Sequence, residues 1–232
     1  MLEPNARQAH SPPLTSPMPL VGRWDSALLS PVAEINQQML ALLSACACAQ
    51  QGGGASAAPA RPLPRLVAGL RELWCRLDLQ AQRRLALCPY LLLDGGFSAP
   101  ERWERVSPGG LGVMDGSGAG SYFCSHAGVA LLRRTFVLAW HLARSNALAA
   151  RILLGMSPDC VERIAACPLS QLEALAELGP VWVVPRWELQ PQVWRQMLQA
   201  ALVDRAAALR PVQLRGLQLL ASDGGQRGGS AA

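Results

Sequence analysis

The order of apolar and polar residues along the chain predicts an all-helical protein. Apolar residues return at intervals of three and four, which places them on one face of an α-helix. Ser30 and Pro31 precede the first such pattern, and we expect Ser30 to cap the helix with Pro31 in its first turn. The predicted buried face consists of Val32, Ile35, Met39, Leu42, Leu43 and Cys46.

Residues 65–88 predict two further helices. A second short helix is expected from Asp78 to Leu87, just before Pro89. The apolar run 90–93 then ends at the turn Asp94-Gly95-Gly96. The face of the first of these helices consists of Leu66, Val67, Leu70, Leu73, Trp74 and Leu77.

A long helical pattern covers residues 127–156. It is typical either of one long helix or of two helices broken near Ser145-Asn146, and Gly155 is expected to end it. Ser157-Pro158 repeats the capping pattern, and Pro168 is expected to stop the helix that follows.

The last part of the chain predicts three more helices. The segment Ser170-Gln171-Leu172-Glu173 matches a capping box, in which Ser170 caps a helix that Gly179-Pro180 closes. One helix is then expected over about 190–209, and Pro211 is expected to restart a final one.

Segments rich in proline, glycine and serine divide these helices into two predicted domains. The predicted order is a disordered leader over 1–22, a helical N-terminal domain over 24–105 that is interrupted by a linker at 50–64, a Gly-rich linker over 106–126, a helical domain over 127–220 and a disordered tail over 221–232.

Composition favours a folded protein of the cytoplasm. Half of the 232 residues are apolar, which excludes wholesale disorder. No apolar run reaches the roughly 18 residues of a spanning helix, and no secretory signal can be recognised. Because Cys75, Cys88, Cys160 and Cys167 fall on apolar helical faces, we expect reduced, buried thiols.

The basic charge is concentrated in the second half of the chain. All 21 basic residues are arginine. Residues 1–128 carry ten arginines against nine acids, whereas residues 129–232 carry eleven against seven. Any attraction to an anionic partner is therefore expected there, although a solvated surface explains so modest an excess more often than nucleic-acid binding does.

No motif predicts an enzyme, a metal site or a cofactor. The loop 116–120 is rich in glycine but lacks the preceding strand and the following lysine of a phosphate-binding loop. The spacings of Cys46-Ala-Cys48 and Cys124-Ser-His126 do not suit a tetrahedral zinc site. None of His10, His126 and His141 can be placed in a catalytic triad.

Residues 157–179 predict two short capped helices joined by a tight turn, the arrangement of a helix-turn-helix. The second helix carries Glu173 and Glu177 and no arginine. Acidic side chains repel phosphate, so this helix is expected to pack against protein rather than to read DNA.

Residues 136–187 resemble the D subunit of the flagellar master transcription regulator, the FlhD family. That family has a leucine-rich helix followed by an Arg-Leu-Gly step, a helix that ends in two alanines, a Leu-x-Gln, a Leu-Ala-Glu and an Arg-aromatic pair. The positions that carry the resemblance are Leu138, Ala139, Leu142, Ala150, Leu154, Gly155, Ala165, Ala166, Leu169, Gln171, Leu175, Ala176, Glu177, Arg186 and Trp187.

The resemblance implies an all-helical subunit that forms a homodimer, pairs with a C-type subunit and activates flagellar promoters in the bacterial cytoplasm. Val183 stands where the family has a cysteine that can cross-link its dimer, so the resemblance implies no such disulfide here. Pro185 replaces an aromatic residue of the family pattern.

Two functions remain open from the sequence. As a DNA-binding regulator, the chain is expected to contact phosphates through Arg195, Arg205, Arg210 and Arg215. As an adaptor with the same fold, it binds proteins and no DNA, and these arginines only solvate a helix face. In either case the predicted dimer interface is the apolar stripe of Leu131, Thr135, Leu138, Ala139 and Leu142.

Overall fold

Helices make up most of the chain in a computed structural model, which describes residues 26–49, 63–104, 106–107, 110–111, 122–123, 125–178 and 183–226. The prediction of a mostly helical, all-α fold class is confirmed. In chain order the elements are α1 (Ser26–Cys48), α2 (Arg65–Gly69), α3 (Arg71–Arg76), α4 (Leu79–Ala86), β1 (Leu93–Asp94), α5 (Pro100–Glu104), β2 (Val106–Ser107), β3 (Gly110–Leu111), α6 (His126–Ser145), α7 (Ala147–Leu154), α8 (Pro158–Ala166), α9 (Leu169–Leu178), β4 (Val184–Pro185), α10 (Pro191–Leu202) and α11 (Ala206–Gln226).

Several helix boundaries lie at or next to the predicted ones. The Asp78 carboxylate accepts a hydrogen bond from the amide of Ala81 at 2.7 Å and begins α4. The long pattern breaks at Asn146, whose side chain caps α7. Gly155 ends α7 in a left-handed conformation with φ of 64°, and the Ser157 hydroxyl caps α8.

Two predicted helix starts, at Ser30 and Ser170, are wrong. Helix α1 begins at Ser26, so Ser30 and Pro31 lie inside it. Leu28 and Leu29 pack against the core, and this contact extends the helix backward. Helix α9 begins at Leu169, so Ser170 is already helical, and the carbonyl of Pro168 accepts the first amide hydrogen bonds.

The C-terminal helices are also divided differently from the prediction. The break after α10 falls at residues 203–205, and Pro211 lies inside α11. A proline near a helix start costs one hydrogen bond, which packing can offset. Helix α11 continues to Gln226, so the predicted tail begins too early.

The two predicted domains share one hydrophobic core. Helix α1 packs on α3, α4 and α6, and α10 packs on α3, α4 and α11. The rings of Trp74 and Trp194 meet at 5.4 Å between the two halves. The predicted division between residues 24–105 and 127–220 is therefore wrong, because each half buries its apolar faces against the other.

The predicted linker over 106–126 is partly structured, since β2 and β3 form a hairpin and Phe123 is buried. The predicted leader, most of the interruption at 50–64 and residues 227–232 lie outside the described residues. Within the described part of the chain, no helix combines the length and apolar character needed to cross a membrane.

A short irregular segment joins the two halves. Residues 90–93 are buried, and their backbone groups find polar partners within the core. The Asn36 side chain donates to the carbonyl of Tyr90 and accepts from the amide of Leu92. Strand β1 pairs with β4, which places the adjoining Arg186 beside the same segment.

The Arg186 guanidinium, although buried, donates to three backbone carbonyls. These are the carbonyls of Leu91 at 2.9 Å, Leu93 at 3.0 Å and Leu154 at 2.8 Å. The arginine of the predicted Arg-aromatic pair thus ties α7 and strand β1 together and has a structural role.

Candidate nucleic-acid interface on the C-terminal hairpin

Helices α10 and α11 form a helical hairpin on the outside of the core. Helix α10 is amphipathic, and its buried face consists of Val193, Trp194, Met197, Leu198 and Ala201. The short connection at residues 203–205 turns the chain so that α11 runs back along α10, where Arg215 donates to the Gln196 side chain at 2.7 Å. Leu209, Gly216 and Leu220 hold α11 against the core.

An open groove runs between the two helices. Its volume is about 380 Å³, and it is lined by Gln196, Gln199, Pro211, Val212 and Arg215. The amide and guanidinium groups in this groove offer several hydrogen-bond donors to a ligand. Because the groove is open rather than enclosed, it suits an extended surface partner better than a small molecule.

The four arginines predicted from the sequence all lie on this hairpin. Arg195 is exposed on α10, next to Gln196. Arg205 is exposed in the connection, and Arg210 is exposed one turn before Leu214 on α11. Arg215 lines the groove, and its hydrogen bond to the Gln196 side chain holds it in place.

The arginines do not share one face. Side chains of a helix advance by about 100° per residue, so Arg210 and Arg215 diverge by about 140° around α11. Arg215 faces α10, whereas Arg210 lies on the side of Gln213, which donates to the Leu87 carbonyl of the helix α4 end. Arg215 therefore lines the hairpin groove, Arg195 and Arg205 lie on α10 and in the connection outside its lining, and Arg210 lies at the edge toward α4.

The hairpin is electropositive. Between residues 191 and 226, which span α10 and α11, the sequence has four arginines and two acids, Asp204 and Asp223. The carboxylate of Asp204 is paired with Arg84 at 2.9 Å. Arg195, Arg205 and Arg210 form no ion pair with any side chain that the structure describes. Their charges are therefore not compensated by described carboxylates.

Helix α9, the second helix of the predicted helix-turn-helix, has the opposite character. Leu172, Leu175 and Ala176 are buried, and the helix packs on α6. Its exposed side carries Glu173 and Glu177, and Glu177 pairs with Arg133 at 3.3 Å. This helix thus packs against protein, as expected, and presents acids to solvent.

The dimer interface predicted on α6 is wrong. Leu131, Thr135, Ala139 and Leu142 are buried inside the single chain, and Leu138 is half-buried. Helices α1, α8 and α9 cover this stripe. In the sequence the stripe looked wider than one bundle needs, but neighbouring helices of the same chain bury four of its five residues. A homodimer remains a prediction and needs another surface.

The chemical groups considered for catalysis or metal binding do not converge in the described residues. No group of three or more His, Cys, Asp and Glu side chains there is placed to hold a metal ion. His126 and His141 are exposed, and the loop 116–120 and Cys124 lie outside the described residues.

The thiols follow the predicted burial with one exception. Cys88, Cys160 and Cys167 are buried, whereas Cys75 is only half-buried. Burial raises the pKa of Cys88 to about 12, so its thiol stays protonated at neutral pH and is a poor nucleophile.

Sequence reasoning found the arginines but missed the glutamines beside them. Gln192, Gln196 and Gln199 recur with Arg195 at helical spacing, on the side of α10 opposite Trp194 and Leu198. That periodicity of polar residues was the available signal, and it predicts a continuous donor-rich face.

Comparisons with protein-family models, with curated proteins and with solved structures found no match for this chain. The resemblance to the FlhD family is carried by residues 136–187 alone.

Proposed function

We propose that this chain is a subunit of a bacterial transcription regulator of the FlhD type, and that it contacts promoter DNA through the α10–α11 hairpin. The observation that supports this most strongly is the set of exposed arginines on this hairpin, with Arg195 and Arg205 unpaired among the described residues. In this proposal residues 136–187, which include part of α6 and all of α7, α8 and α9, form the FlhD-like region, and α9 packs rather than reads DNA.

The physical basis is phosphate neutralisation by a fixed array of donors. Arginine is suited to phosphate because its planar guanidinium donates two parallel hydrogen bonds. The buried face of α10 holds Arg195 and its glutamine neighbours in defined directions. Glutamine side chains in such an array can donate to phosphates or to base edges.

So few cations predict weak binding by the chain alone. Each phosphate contact contributes roughly one unit to the slope of the binding constant against salt, so three or four contacts give modest affinity at physiological salt. A C-type partner subunit is expected to supply further cations and much of the sequence specificity, and the active species is expected to be a cytoplasmic complex.

The test is a titration of duplex DNA from flagellar promoters of the encoding genome, by fluorescence anisotropy over a salt series, with the chain alone and with a C-type subunit. Replacement of Arg195 and Arg205 by alanine should weaken binding to all sequences and lower the salt slope by up to about two units. The matched control replaces Arg65 and Arg151, which are exposed on α2 and α7.

If the Arg195/Arg205 variant and the Arg65/Arg151 control weaken DNA binding equally, the DNA contact lies elsewhere on the chain. Tight, salt-insensitive binding, or an unchanged slope in the Arg195/Arg205 variant, would contradict the proposal. A complete absence of DNA binding, with and without the C-type subunit, would favour the second candidate.

The second candidate is an adaptor that binds proteins and no DNA. The observation that favours it is the exposure of large apolar side chains next to the hairpin: Leu87 is 67% exposed and Leu214 is 60% exposed. Nucleic acid gives such side chains little to pack against.

A further inference from the structure

Exposed apolar residues and arginines alternate on a surface made by α4 and the α10–α11 hairpin. On α4 and at its C-cap, Leu79, Arg83 and Leu87 recur every four residues on the solvent side, with the two leucines 52% and 67% exposed. On α11, Arg210 and Leu214 are likewise one turn apart, and both are exposed. Val203, 47% exposed, lies in the connection between α10 and α11.

Hydrogen bonds fix the C-terminal end of α4 against the hairpin. Arg84 donates through Nε and Nη2 to the carbonyl of Ala201, at 3.2 and 2.9 Å, and through Nη1 to Asp204. Gln213 donates to the carbonyl of Leu87 at 3.5 Å. The end of α4 is therefore tied both to the connection and to the middle of α11. We call Leu79, Arg83, Leu87, Val203, Arg210 and Leu214 the Leu–Arg surface.

The charge on this surface is positive and not compensated by described carboxylates. The carboxylate of Asp204, which borders it, is already engaged by Arg84. Arg83 and Arg210 have no carboxylate partner among the described side chains. Exposed leucines interleaved with uncompensated arginines fit a partner that offers apolar side chains flanked by acids.

We propose that the Leu–Arg surface is the docking site for an acidic amphipathic helix of a partner protein. The apolar face of that helix packs on Leu79, Leu87 and Leu214, and its acids pair with Arg83 and Arg210. From Leu79 to Leu87 the surface extends about 12 Å along α4, which corresponds to two to three turns of a bound helix. Phosphate alone would satisfy the arginines but leave the leucines in water.

This inference does not depend on DNA binding, and it assigns Arg210 to a protein partner rather than to phosphate. The DNA-binding arginines Arg195 and Arg205 are outside the Leu–Arg surface. The two proposals can therefore succeed or fail separately.

The probe is a fluorescent synthetic peptide of about 18 residues with leucines at positions i, i+3, i+4 and i+7 and flanking glutamates, titrated with the full chain by anisotropy. A peptide of scrambled order and a peptide with lysine in place of every glutamate serve as comparisons. The wild-type chain should bind the acidic peptide saturably and bind neither comparison peptide.

Reversal of the two charges gives the sharpest test. The variant with Arg83→Glu and Arg210→Glu should bind the acidic peptide at least about tenfold more weakly and should bind the lysine peptide instead. Replacement of Leu87 and Leu214 by serine should weaken binding of the acidic peptide to the wild-type chain and binding of the lysine peptide to the charge-reversed variant. The matched control carries Leu148→Ser and Arg151→Glu, an exposed pair on α7, and should bind as the wild type does.

Thermal unfolding of each variant establishes that it is folded before it is titrated. Lack of saturable binding up to about 1 mM peptide would overturn the proposal. So would equal binding of the scrambled peptide, or a charge-reversed variant that keeps its preference for the acidic peptide. The Arg195/Arg205 alanine variant should bind the acidic peptide normally, whether or not it has lost DNA binding.

Discussion

At the scale of single residues, Arg186 carries the largest expected contribution to stability. Its buried guanidinium satisfies the carbonyls of Leu91, Leu93 and Leu154. Arg186→Ala leaves these acceptors without that donor, and we expect it to lower the free energy of unfolding by about 3 kcal/mol. Urea unfolding measures this change. The exposed Arg151→Ala should change it by less than about 0.5 kcal/mol, and equal effects would show that the carbonyl contacts are unimportant.

Gly155 is constrained by both its backbone and its neighbours. Its φ of 64° disfavours other residues, and a Cβ there would lie 2.8 Å from Leu220 Cδ2 and 3.0 Å from Arg186 Nη1. Gly155→Val should therefore destabilise the protein by about 2 kcal/mol or more, from backbone strain and overpacking together. An unchanged melting temperature would contradict the left-handed helix end.

Of the two serine caps that the sequence predicts for α8 and α9, the structure has only the first. Ser157 accepts a hydrogen bond from the amide of Cys160 at 3.2 Å, whereas Ser170 lies inside the first turn of α9. Ser157→Ala should cost about 1 kcal/mol, and Ser170→Ala should cost less than about 0.5 kcal/mol. Thermal or urea unfolding of the two variants measures these losses of stability. A larger loss for Ser170→Ala than for Ser157→Ala would indicate that Ser170 caps α9 after all.

At the scale of elements, the docking of α11 depends on a glycine. Gly216 faces the ring of Tyr90, and a Cβ at this position would collide with the Tyr90 hydroxyl. By helix propensity alone, Gly216→Ala would stabilise α11 by up to about 1 kcal/mol. The contact with Tyr90 predicts the opposite sign, a loss of about 1 to 3 kcal/mol.

Tyr90→Phe removes the hydroxyl, so the double variant should recover part of that loss. A double-mutant cycle by urea unfolding measures the coupling. Additive effects, or a stabilised Gly216→Ala variant, would mean that α11 does not approach Tyr90 so closely.

The sequence predicted most helices and failed mainly at their starts. The predicted helix start at Asp78 and the predicted cap at Ser157 lie at the beginnings of α4 and α8, because each residue precedes an apolar face at the right spacing. Ser30-Pro31 and Pro211 gave equally clear signals, yet each helix begins before them. A proline in the second turn removes only one hydrogen bond, and contacts such as those of Leu28 and Leu29 with the core override it.

At the scale of the whole molecule, the single core explains why the dimer interface was misread. The apolar stripe on α6 appeared excessive because the sequence did not reveal that α1 also packs on α6. Contacts between distant segments, such as the Leu91 amide with the Leu153 carbonyl at 2.7 Å, have no local signal in the sequence.

For the candidate site, too, the sequence does not reveal which distant segments come together. Composition located the excess of arginine in the C-terminal half, and the structure places all four candidates on one hairpin. Which of them faces the groove and which faces α4 depends on the packing of α11, through Gln196 on one side and the Leu87 carbonyl on the other.

The most direct test of the central claim is to locate the protein surface that touches DNA. A photo-crosslinking residue is introduced at Gln199, beside the hairpin groove, and separately at Glu173, on the exposed side of α9. Each variant is irradiated with promoter DNA and a C-type subunit at low salt. We predict a DNA adduct from position 199 and none from position 173. An adduct from α9, with none from the hairpin, would contradict the account.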